Sequence, residues 1–211
     1  DGRGRALAAR IRIFEVQKQA AEAAILHELH KNTEPPLAVT LFLGITKGEK
    51  MEQVIRQSVE LGVKRIVPVL TERTIVRLDP KKKKARTHRW RNIALAAAAQ
   101  CRRSFVPDVS EPLHFEEMPG LFAGEGAEPL IVPWEEEKET GLMHLAAAMG
   151  TPPRTISIFT GPEGGIAPGE MEKLKKHRCI YPVTLGPRIL RAETAPLATL
   201  AVLMHLWGDL G

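Results

Sequence analysis

GPEGG at residues 161–165 and LGPRILRAETA at residues 185–195 are two glycine-containing loops close to the end of the chain. The first follows an apolar run at residues 156–160, and residues leading into the second (181–185) have the same β-type character. Each is followed by a helix signal. Ligands of open α/β sheets bind beyond the carboxyl ends of the strands, where such loops gather. The two loops together therefore predict one shared pocket.

Each loop also has a simpler interpretation. Either one alone is compatible with an ordinary strand-to-helix turn, in which Glu193 and Thr194 do no more than begin a helix. The glycines of the first loop allow a ligand to approach the main chain, and Gly186-Pro187 forces a sharp exit from its strand. The occurrence of both loops in one short region favours a binding site.

The two loops resemble the cofactor-binding signature of the RsmE family, which comprises ribosomal RNA small-subunit methyltransferases of the SPOUT superfamily. The family pattern is close to GPEGG-F/L-S-x-x-E followed by LG-x-R-I/V-LR-x-ETA. Residues 161–170 match the first part, with Ile166-Ala167-Pro168 in place of the usual middle residues, and residues 185–195 match the second nearly throughout. A third match runs from Lys47 to Glu52 and continues to Gly62. The resemblance covers about residues 36–211.

This resemblance implies an α/β fold with a mostly parallel sheet and a C-terminal trefoil knot. Periodicity would not predict a knot, because general topology rules make knots very rare. The resemblance also implies that residues 1–35 hold the last strands of a PUA-like, RNA-binding β-barrel and a linker. Residues 36–211 would then form the SPOUT methyltransferase domain.

Hydrophobic periodicity predicts the elements of the larger domain. Strands are expected at residues 39–43, 65–70, 130–132, 156–160 and 181–185, and helices at residues 47–61, 81–103, 141–149 and 196–207. The last helix is apolar nearly all round, so it needs burial on more than one side, by the sheet or by a second subunit. Because members of the family are usually homodimers, we expect a homodimer.

Charge is unevenly distributed along this chain, whose net charge is +5. Ten Lys or Arg residues lie between Arg77 and Arg103, and nine Glu residues lie between Glu111 and Glu139. The basic block is typical of a phosphate-binding surface, although a solvated helix face is the more usual meaning of such a run. No apolar run is long enough to span a bilayer, and two cysteines provide neither a disulfide framework nor a metal site. We expect a cytoplasmic protein without a metal.

The cofactor implied by the resemblance is S-adenosylmethionine. The chain has neither the G-x-G-x-x-G spacing of a dinucleotide site nor the lysine of a phosphate loop. Glycine backbone and aliphatic walls suit an adenine ring. The expected cofactor contacts are Val132, Pro133, Thr160, Gly161, Glu163, Gly164, Gly165, Leu185, Gly186, Ile189, Leu190, Thr194 and Ala195.

The reaction implied by the resemblance is methylation of N3 of a uridine in 16S ribosomal RNA, near the decoding centre of the 30S subunit. Arg191 is the first candidate to stabilise the developing uracil anion, and Glu163 or Glu193 could accept the N3 proton or be structural. Expected phosphate contacts are Lys47, Lys50, Arg73, Arg77, Arg86, Arg102, Arg103 and Arg188. The alternatives are another SPOUT reaction, on a ribose 2′-oxygen or a guanine, and a catalytically silent RNA-binding protein.

Overall fold

The computed structural model describes residue 3, residues 6–15 and 20–29, and residues 33–211. Its strands are β1 (Ala6–Glu15), β2 (Ala20–Leu29), β3 (Ala38–Gly44), β4 (Arg65–Leu70), β5 (Asp108–Val109), β6 (Leu113–His114), β7 (Leu130–Pro133), β8 (Thr155–Thr160) and β9 (Ile180–Val183). Its α-helices are α1 (Lys50–Glu60), α2 (Pro80–Gln100), α3 (Leu142–Met149), α4 (Pro168–Leu174) and α5 (Thr194–Trp207). Short 3-10 turns cover Phe115–Glu117 and Pro119–Phe122.

The main sheet follows the order β5-β4-β3-β8-β7-β9, with β6 also paired to β4. Its strand pairings are all parallel. The mostly parallel α/β sheet predicted from the sequence is therefore confirmed. The parallel arrangement places the carboxyl ends of β3, β7, β8 and β9 along one edge of the sheet.

Both faces of the sheet are buried, as β3 illustrates. Leu41 and Leu43 contact a core cluster formed with α1, α2 and α5, whereas Phe42 contacts a second cluster on the opposite face. Alternate side chains of a strand point to opposite faces, so one strand supplies both cores. A parallel sheet covered on both faces is the usual arrangement of α/β domains.

Helix α1 buries the face expected from its periodicity, which includes Met51, Val54 and Val59. It begins at Lys50 and not, as predicted, at residue 47. Gly48 has φ of +62°, a conformation that an α-helix does not contain, and the first helical bond here runs from Gln53 N–H to the Glu49 carbonyl.

Helix α2 is shorter than its basic run predicted. Asp79 begins it by accepting a bond from the Lys82 main-chain N–H at 2.8 Å. The helix ends where Arg102 takes a positive φ of 61° and Arg103 N–H bonds to the Ala98 carbonyl. Arg102 and Arg103 thus follow the helix instead of extending it.

The first two strands form a separate antiparallel pair, with Ala6 opposite Leu29 and Glu15 opposite Ala20. The predicted N-terminal unit at residues 1–35 lies partly outside the described residues, because 1–2, 4–5, 16–19 and 30–32 are not among them. Of the predicted linker, Thr33 Oγ1 accepts a bond from the Ser104 N–H at 3.0 Å. The described end of the linker is therefore attached to the sheet domain.

Candidate cofactor-binding site

A cleft opens at the carboxyl edge of the sheet, beyond β7, β8 and β9. It encloses about 860 Å³ when its open mouth is included. Three loops form its walls, and the residues that line it are Pro133, Trp134, Glu135, Lys138, Thr160, Gly161, Pro162, Glu163, Gly165, Ile166, Thr184, Leu185, Gly186, Pro187, Arg188, Ile189, Leu190, Ala192 and Ala195. Both loops singled out in the sequence therefore meet in one pocket.

The first loop, residues 161–165, packs closely on the centre of the sheet. A Cβ atom at Gly44 would lie 2.5 Å from Pro162 N and 2.7 Å from Gly161 C. Since Gly44 is the last residue of β3, only a glycine there lets the loop lie directly on the end of the neighbouring strand. This contact sets the depth of the cleft.

The second loop, residues 184–193, turns away from β9 and leads into α5. Gly186 has φ of +100°, and its N–H donates to Thr184 Oγ1 at 3.2 Å. The N–H groups of Thr194 and Ala195 both donate to the Arg191 carbonyl, so helix α5 begins two residues earlier than predicted. The loop thereby carries Arg191 on a main-chain turn, next to the lining residues Leu190 and Ala192.

A third loop, residues 134–140, completes the cleft and was missed by the sequence analysis. Glu137 folds it, because its Oε1 atom accepts bonds from the main-chain N–H groups of Glu139 and Thr140 at 2.9 Å each. These bonds hold the pKa of Glu137 below its ordinary value, and the bond from Thr140 has the larger effect. The loop is tied to the second one by a 2.8 Å bond from Thr184 N–H to the Thr140 carbonyl. The loop directly follows a predicted core strand, and this position in the sequence could have indicated that it lies beside the cleft.

A buried carboxylate joins the first loop to the basic segment after β4. Glu170 is 3% exposed, and its two oxygens accept bonds from the N–H groups of Glu72 at 2.9 Å and Ala167 at 3.0 Å. Beside it, Arg73 donates from Nη1 to the Gly164 carbonyl at 2.7 Å. The conformation of the cofactor loop therefore depends on residues 72–73.

Two acidic side chains near the cleft share one lysine. Lys50 Nζ lies 3.6 Å from Glu163 Oε1 and 3.3 Å from Glu193 Oε2. The Glu193 carboxylate is held in its ionised form, because the residue's own main-chain N–H and then the Lys50 ammonium lower its pKa from the ordinary value of 4.5. The sequence analysis placed Lys50 against RNA phosphate, whereas the structure places it between these carboxylates.

The structure separates the expected cofactor residues into two groups. Pro133, Thr160, Gly161, Glu163, Gly165, Leu185, Gly186, Ile189, Leu190 and Ala195 line the cleft. Val132 instead lies in the core under it, and Gly164 and Thr194 are next to lining residues without themselves lining the cleft. Arg191 is exposed between two lining residues, Leu190 and Ala192.

The expected phosphate contacts do not all lie on one surface. Lys47, Arg73, Arg77 and Arg188 are exposed on loops at the carboxyl edge of the sheet, and Arg86 lies one or two turns into α2. Helix α2 has 21 residues and is therefore about 30 Å long at 1.5 Å per residue. Arg102 and Arg103 follow its C-terminal end, whereas the lysines are in its first turns. The two arginines therefore lie at the opposite edge of the sheet.

Arg103 is buried in contacts within the protein. Its side chain is 5% exposed, and Nη1 donates to the carbonyls of Val59 at 2.8 Å and Val63 at 2.9 Å. Its Nε and Nη2 atoms bond to the Glu34 carboxylate. The guanidinium holds the turn between α1 and β4 and is not presented to a ligand.

The cleft fits a cofactor that offers a hydrogen-bonding edge within an apolar frame. Thr160 ends β8 and is 2% exposed, yet among the described residues its Oγ1 has no hydrogen-bond partner. A buried hydroxyl is ordinarily bonded, so one that lines a cleft is free to bond a ligand. Leu185, Ile189 and Leu190 supply apolar surface nearby.

No helix in the described part of the chain combines the length and apolar character needed to cross a membrane. Across residues 3, 6–15, 20–29 and 33–211, no group of three His, Cys, Asp or Glu side chains is placed to hold a metal ion.

A parallel sheet with glycine-containing loops and a cleft at its carboxyl edge is the arrangement of a ligand-binding α/β domain. Residues 33–204 match the model of the family described as the RNA methyltransferase domain. That match covers most of the chain.

Similar proteins with established names identify the family within this class. Ribosomal RNA small subunit methyltransferase E of Bacillus subtilis is 32% identical over 200 residues, which span 93% of this chain and 77% of the relative. The protein of the same name from Buchnera aphidicola is 34% identical over 211 residues, spanning 94% and 77%. The crystal structure of ribosomal RNA small subunit methyltransferase E from Neisseria gonorrhoeae, bound to S-adenosylmethionine, superposes with a TM-score of 0.88 at 37% identity, covering 100% of this chain and 83% of that one. This chain belongs to the ribosomal RNA small subunit methyltransferase E family.

Proposed function

We propose that this protein uses S-adenosylmethionine to methylate N3 of one specific uridine in 16S ribosomal RNA, near the decoding centre of the small subunit. The observation that carries the proposal is the cleft at the carboxyl edge of the sheet, with its unpartnered Thr160 hydroxyl and apolar walls. The family membership supports it, because a relative at 37% identity was crystallised with this cofactor.

The cofactor supplies an activated methyl group on a sulfonium. The residues proposed to hold it are ten of those that line the cleft, namely Pro133, Thr160, Gly161, Glu163, Gly165, Leu185, Gly186, Ile189, Leu190 and Ala195. Val132, Gly164 and Thr194 would act from behind them, by supporting the loops. In this arrangement apolar side chains hold the adenine ring and main-chain groups read its edge.

Arg191 is the residue proposed to lower the activation barrier of methyl transfer. Uracil N3 carries a proton at neutral pH, so negative charge develops on the base when that proton leaves. Arg191 is exposed and lies in the chain between Leu190 and Ala192, which line the cleft, and its guanidinium is proposed to bond a uracil carbonyl oxygen as this charge develops. Placing the base in line with the methyl group supplies the rest of the proposed rate enhancement.

Glu163 and Glu193 are the carboxylates proposed to receive the N3 proton. Glu163 lines the cleft, and Glu193 lies next to the lining residue Ala192. The lowered pKa of Glu193 keeps it ionised at neutral pH, as a proton acceptor must be, although it also makes the carboxylate a weak base. Positioning and charge stabilisation therefore carry more of the proposed rate enhancement than proton transfer does.

The proposed RNA-binding surface is the basic area beside the cleft. It comprises Lys47, Arg73, Arg77, Arg86 and Arg188, together with the four lysines in the first turn of α2. We do not include Arg103, which is buried, or Lys50, which is paired with carboxylates. Reaching N3 requires the uridine to be unpaired or flipped out of its stack.

The finer features of fold and assembly are also proposals. We propose that residues 36–211 form a SPOUT domain whose residues after β9 thread a trefoil knot, since the chain leaves the edge strand and returns to pack α5 against β3 and β8. We propose that residues 1–35 contribute a PUA-like RNA-binding unit and a linker, with β1 and β2 as its described strands. We propose a homodimer in the cytoplasm, and the half-buried apolar side chains of α5, such as Leu197 and Trp207, support the dimer.

The experiment is methyl transfer to 30S subunits that lack the modification, with the product nucleoside identified by mass spectrometry. We expect N3-methyluridine, and a loss of roughly 10²–10³-fold in kcat for Arg191→Ala with little change in cofactor affinity. Arg188→Ala, an exposed arginine of the same loop, is the matched control and should alter RNA affinity more than kcat. A 2′-O-methylated nucleoside or a methylated guanosine would replace the proposal with another SPOUT reaction, and cofactor binding without transfer to any RNA would favour a silent binding protein.

A further inference from the structure

Lys50 occupies the point where three segments of the chain meet. It is the first residue of α1, beyond the carboxyl end of the central strand β3. Its ammonium lies between Glu163 of the first cleft loop and Glu193 of the second, at 3.6 and 3.3 Å. Glu163 Oε1 also accepts a bond from the Lys47 main-chain N–H at 3.1 Å, which attaches the same carboxylate to the loop before the helix.

These contacts are partly shielded from water. The side chains are 35% exposed for Lys50, 30% for Glu163 and 24% for Glu193. The Glu193 Oε2 atom is buried and accepts no hydrogen bond among the described residues, so the Lys50 ammonium reaches it as an ion pair. Ion pairs on an open surface are weak because of solvent screening. Here removal of the ammonium leaves two carboxylates facing each other, one with a buried oxygen, and that arrangement is unfavourable.

The two carboxylates belong to loops that leave non-adjacent strands of the sheet. The first loop leaves β8, and the second leaves the edge strand β9, with β7 between these strands. Within the described residues, Lys50 is the cation found within 4.0 Å of both carboxylates. The spacing of the loops across the cleft is therefore tied to the position of one ammonium group.

We propose that Lys50 is a positioning residue, whose ammonium holds the two cofactor loops at their working separation by pairing with Glu163 and Glu193. Its effect on the reaction is exerted through these carboxylates and not through RNA phosphate. This inference rests on the proposed role of the cleft as the cofactor site.

The test compares Lys50→Met and Lys50→Arg with wild type and with Lys64→Met, which removes an exposed lysine at the opposite edge of the sheet. Cofactor Kd is measured by calorimetry with S-adenosylmethionine, and RNA Kd by filter binding without cofactor. We expect Lys50→Met to raise the cofactor Kd about tenfold, equivalent to about 1.4 kcal/mol, with the RNA Kd changed less than about twofold. Lys50→Arg should recover most of the affinity, and Lys64→Met should match wild type.

A structural readout separates positioning from general damage. Hydrogen exchange of the amides at residues 161–165 and 186–193 should become faster in Lys50→Met, while exchange in β3 and β4 stays at the wild-type rate. Unchanged cofactor affinity and unchanged loop exchange, with weaker RNA binding, would overturn the proposal and return Lys50 to the phosphate surface. A wild-type protein that does not bind S-adenosylmethionine would refute the proposed function instead, and the exchange measurement would still decide whether Lys50 holds the loops.

Discussion

Arg73 donates a hydrogen bond from Nη1 to the main-chain oxygen of Gly164 across 2.7 Å, so a residue of the basic surface also supports a loop of the cofactor cleft. The two residues are in close contact as well, because a Cβ atom at Gly164 would lie 3.1 Å from Arg73 Cβ. Any ligand that draws the Arg73 guanidinium toward a phosphate competes with this bond. Under the proposed function, RNA binding and cofactor binding are therefore expected to be coupled through this one side chain.

Replacement of Arg73 by Ala should weaken the binding of both ligands. We expect cofactor Kd and RNA Kd each to rise roughly three- to tenfold, because the variant can neither donate the charged hydrogen bond to Gly164 nor neutralise a phosphate. Arg73→Lys keeps the charge without the fork of donors, so it should restore RNA affinity more than cofactor affinity. Calorimetry and filter binding give the two constants, and a cofactor Kd equal to wild type in both variants would contradict the coupling.

Gly44→Ala should lower both stability and cofactor affinity. The added methyl would lie 2.5 Å from Pro162 N, so the first cleft loop must move away from β3. We expect a decrease of about 1–3 kcal/mol in the free energy of unfolding, as for other overpacked sites. Thermal unfolding with and without S-adenosylmethionine measures both effects.

Gly169→Ala is the matched control, because nothing lies within 4 Å of its added methyl and the residue is within α4. Alanine is the better helix former, so this variant should be as stable as wild type or slightly more so. Equal decreases in the Gly44 and Gly169 variants would show that contact with the loop is not the cause.

Glu193→Gln should lower stability in a way that depends on pH. The pKa of Glu193 is lower in the folded protein than its ordinary value of 4.5, so its carboxylate stabilises the fold above that pH and loses this effect as pH falls through the folded pKa. The difference in Tm between wild type and Glu193→Gln should therefore be largest at neutral pH and shrink as the pH falls below 4.5. Melting curves from pH 3 to 7 give the comparison, and a difference that stays constant over this range would argue against a stabilising carboxylate.

Removal of charge from the first turn of α2 should weaken RNA binding without affecting the cofactor. Lys81 and Lys84 are exposed there, and four consecutive lysines at the positive end of a helix dipole repel it. The double variant Lys81→Ala/Lys84→Ala should reduce the slope of log K against log salt by about 0.7–0.9 for each phosphate that is no longer neutralised. Lys64→Ala, at the other edge of the sheet, should leave the slope unchanged, and equal slopes in all three proteins would remove these lysines from the interface.

The regular elements were the more predictable part of the fold. Residues 65–70 form a strand with the predicted bounds, and α1 buries Met51, Val54, Ile55, Ser58 and Val59 as its periodicity indicated. These elements are amphipathic or fully buried, so the pattern of apolar residues reports directly on the core. The two-residue strands β5 and β6 carry no such pattern and were not predicted.

Partners distant in the chain were the less predictable part of the site. Glu34 and Arg103 are separated by 69 residues, and the expectation that Arg103 faces RNA followed from its place in a basic run. A run of charge reflects composition, whereas burial depends on which elements the fold brings together. The pairing of Lys50 with two glutamates was not predicted for the same reason, since these residues are distant in the chain. The loop at residues 134–140 was also missed, because its acidic composition does not indicate the wall of a cleft.

The closure of the cleft by sequence-distant contacts has a consequence for how the protein is made. Lys47 and Glu163, which meet beside the cleft, are 116 residues apart in the chain. During synthesis from the N-terminus, β3 and α1 emerge long before the loops that complete their binding site. A nascent chain stopped before residue 195 therefore has no complete cleft and cannot yet hold the proposed cofactor there.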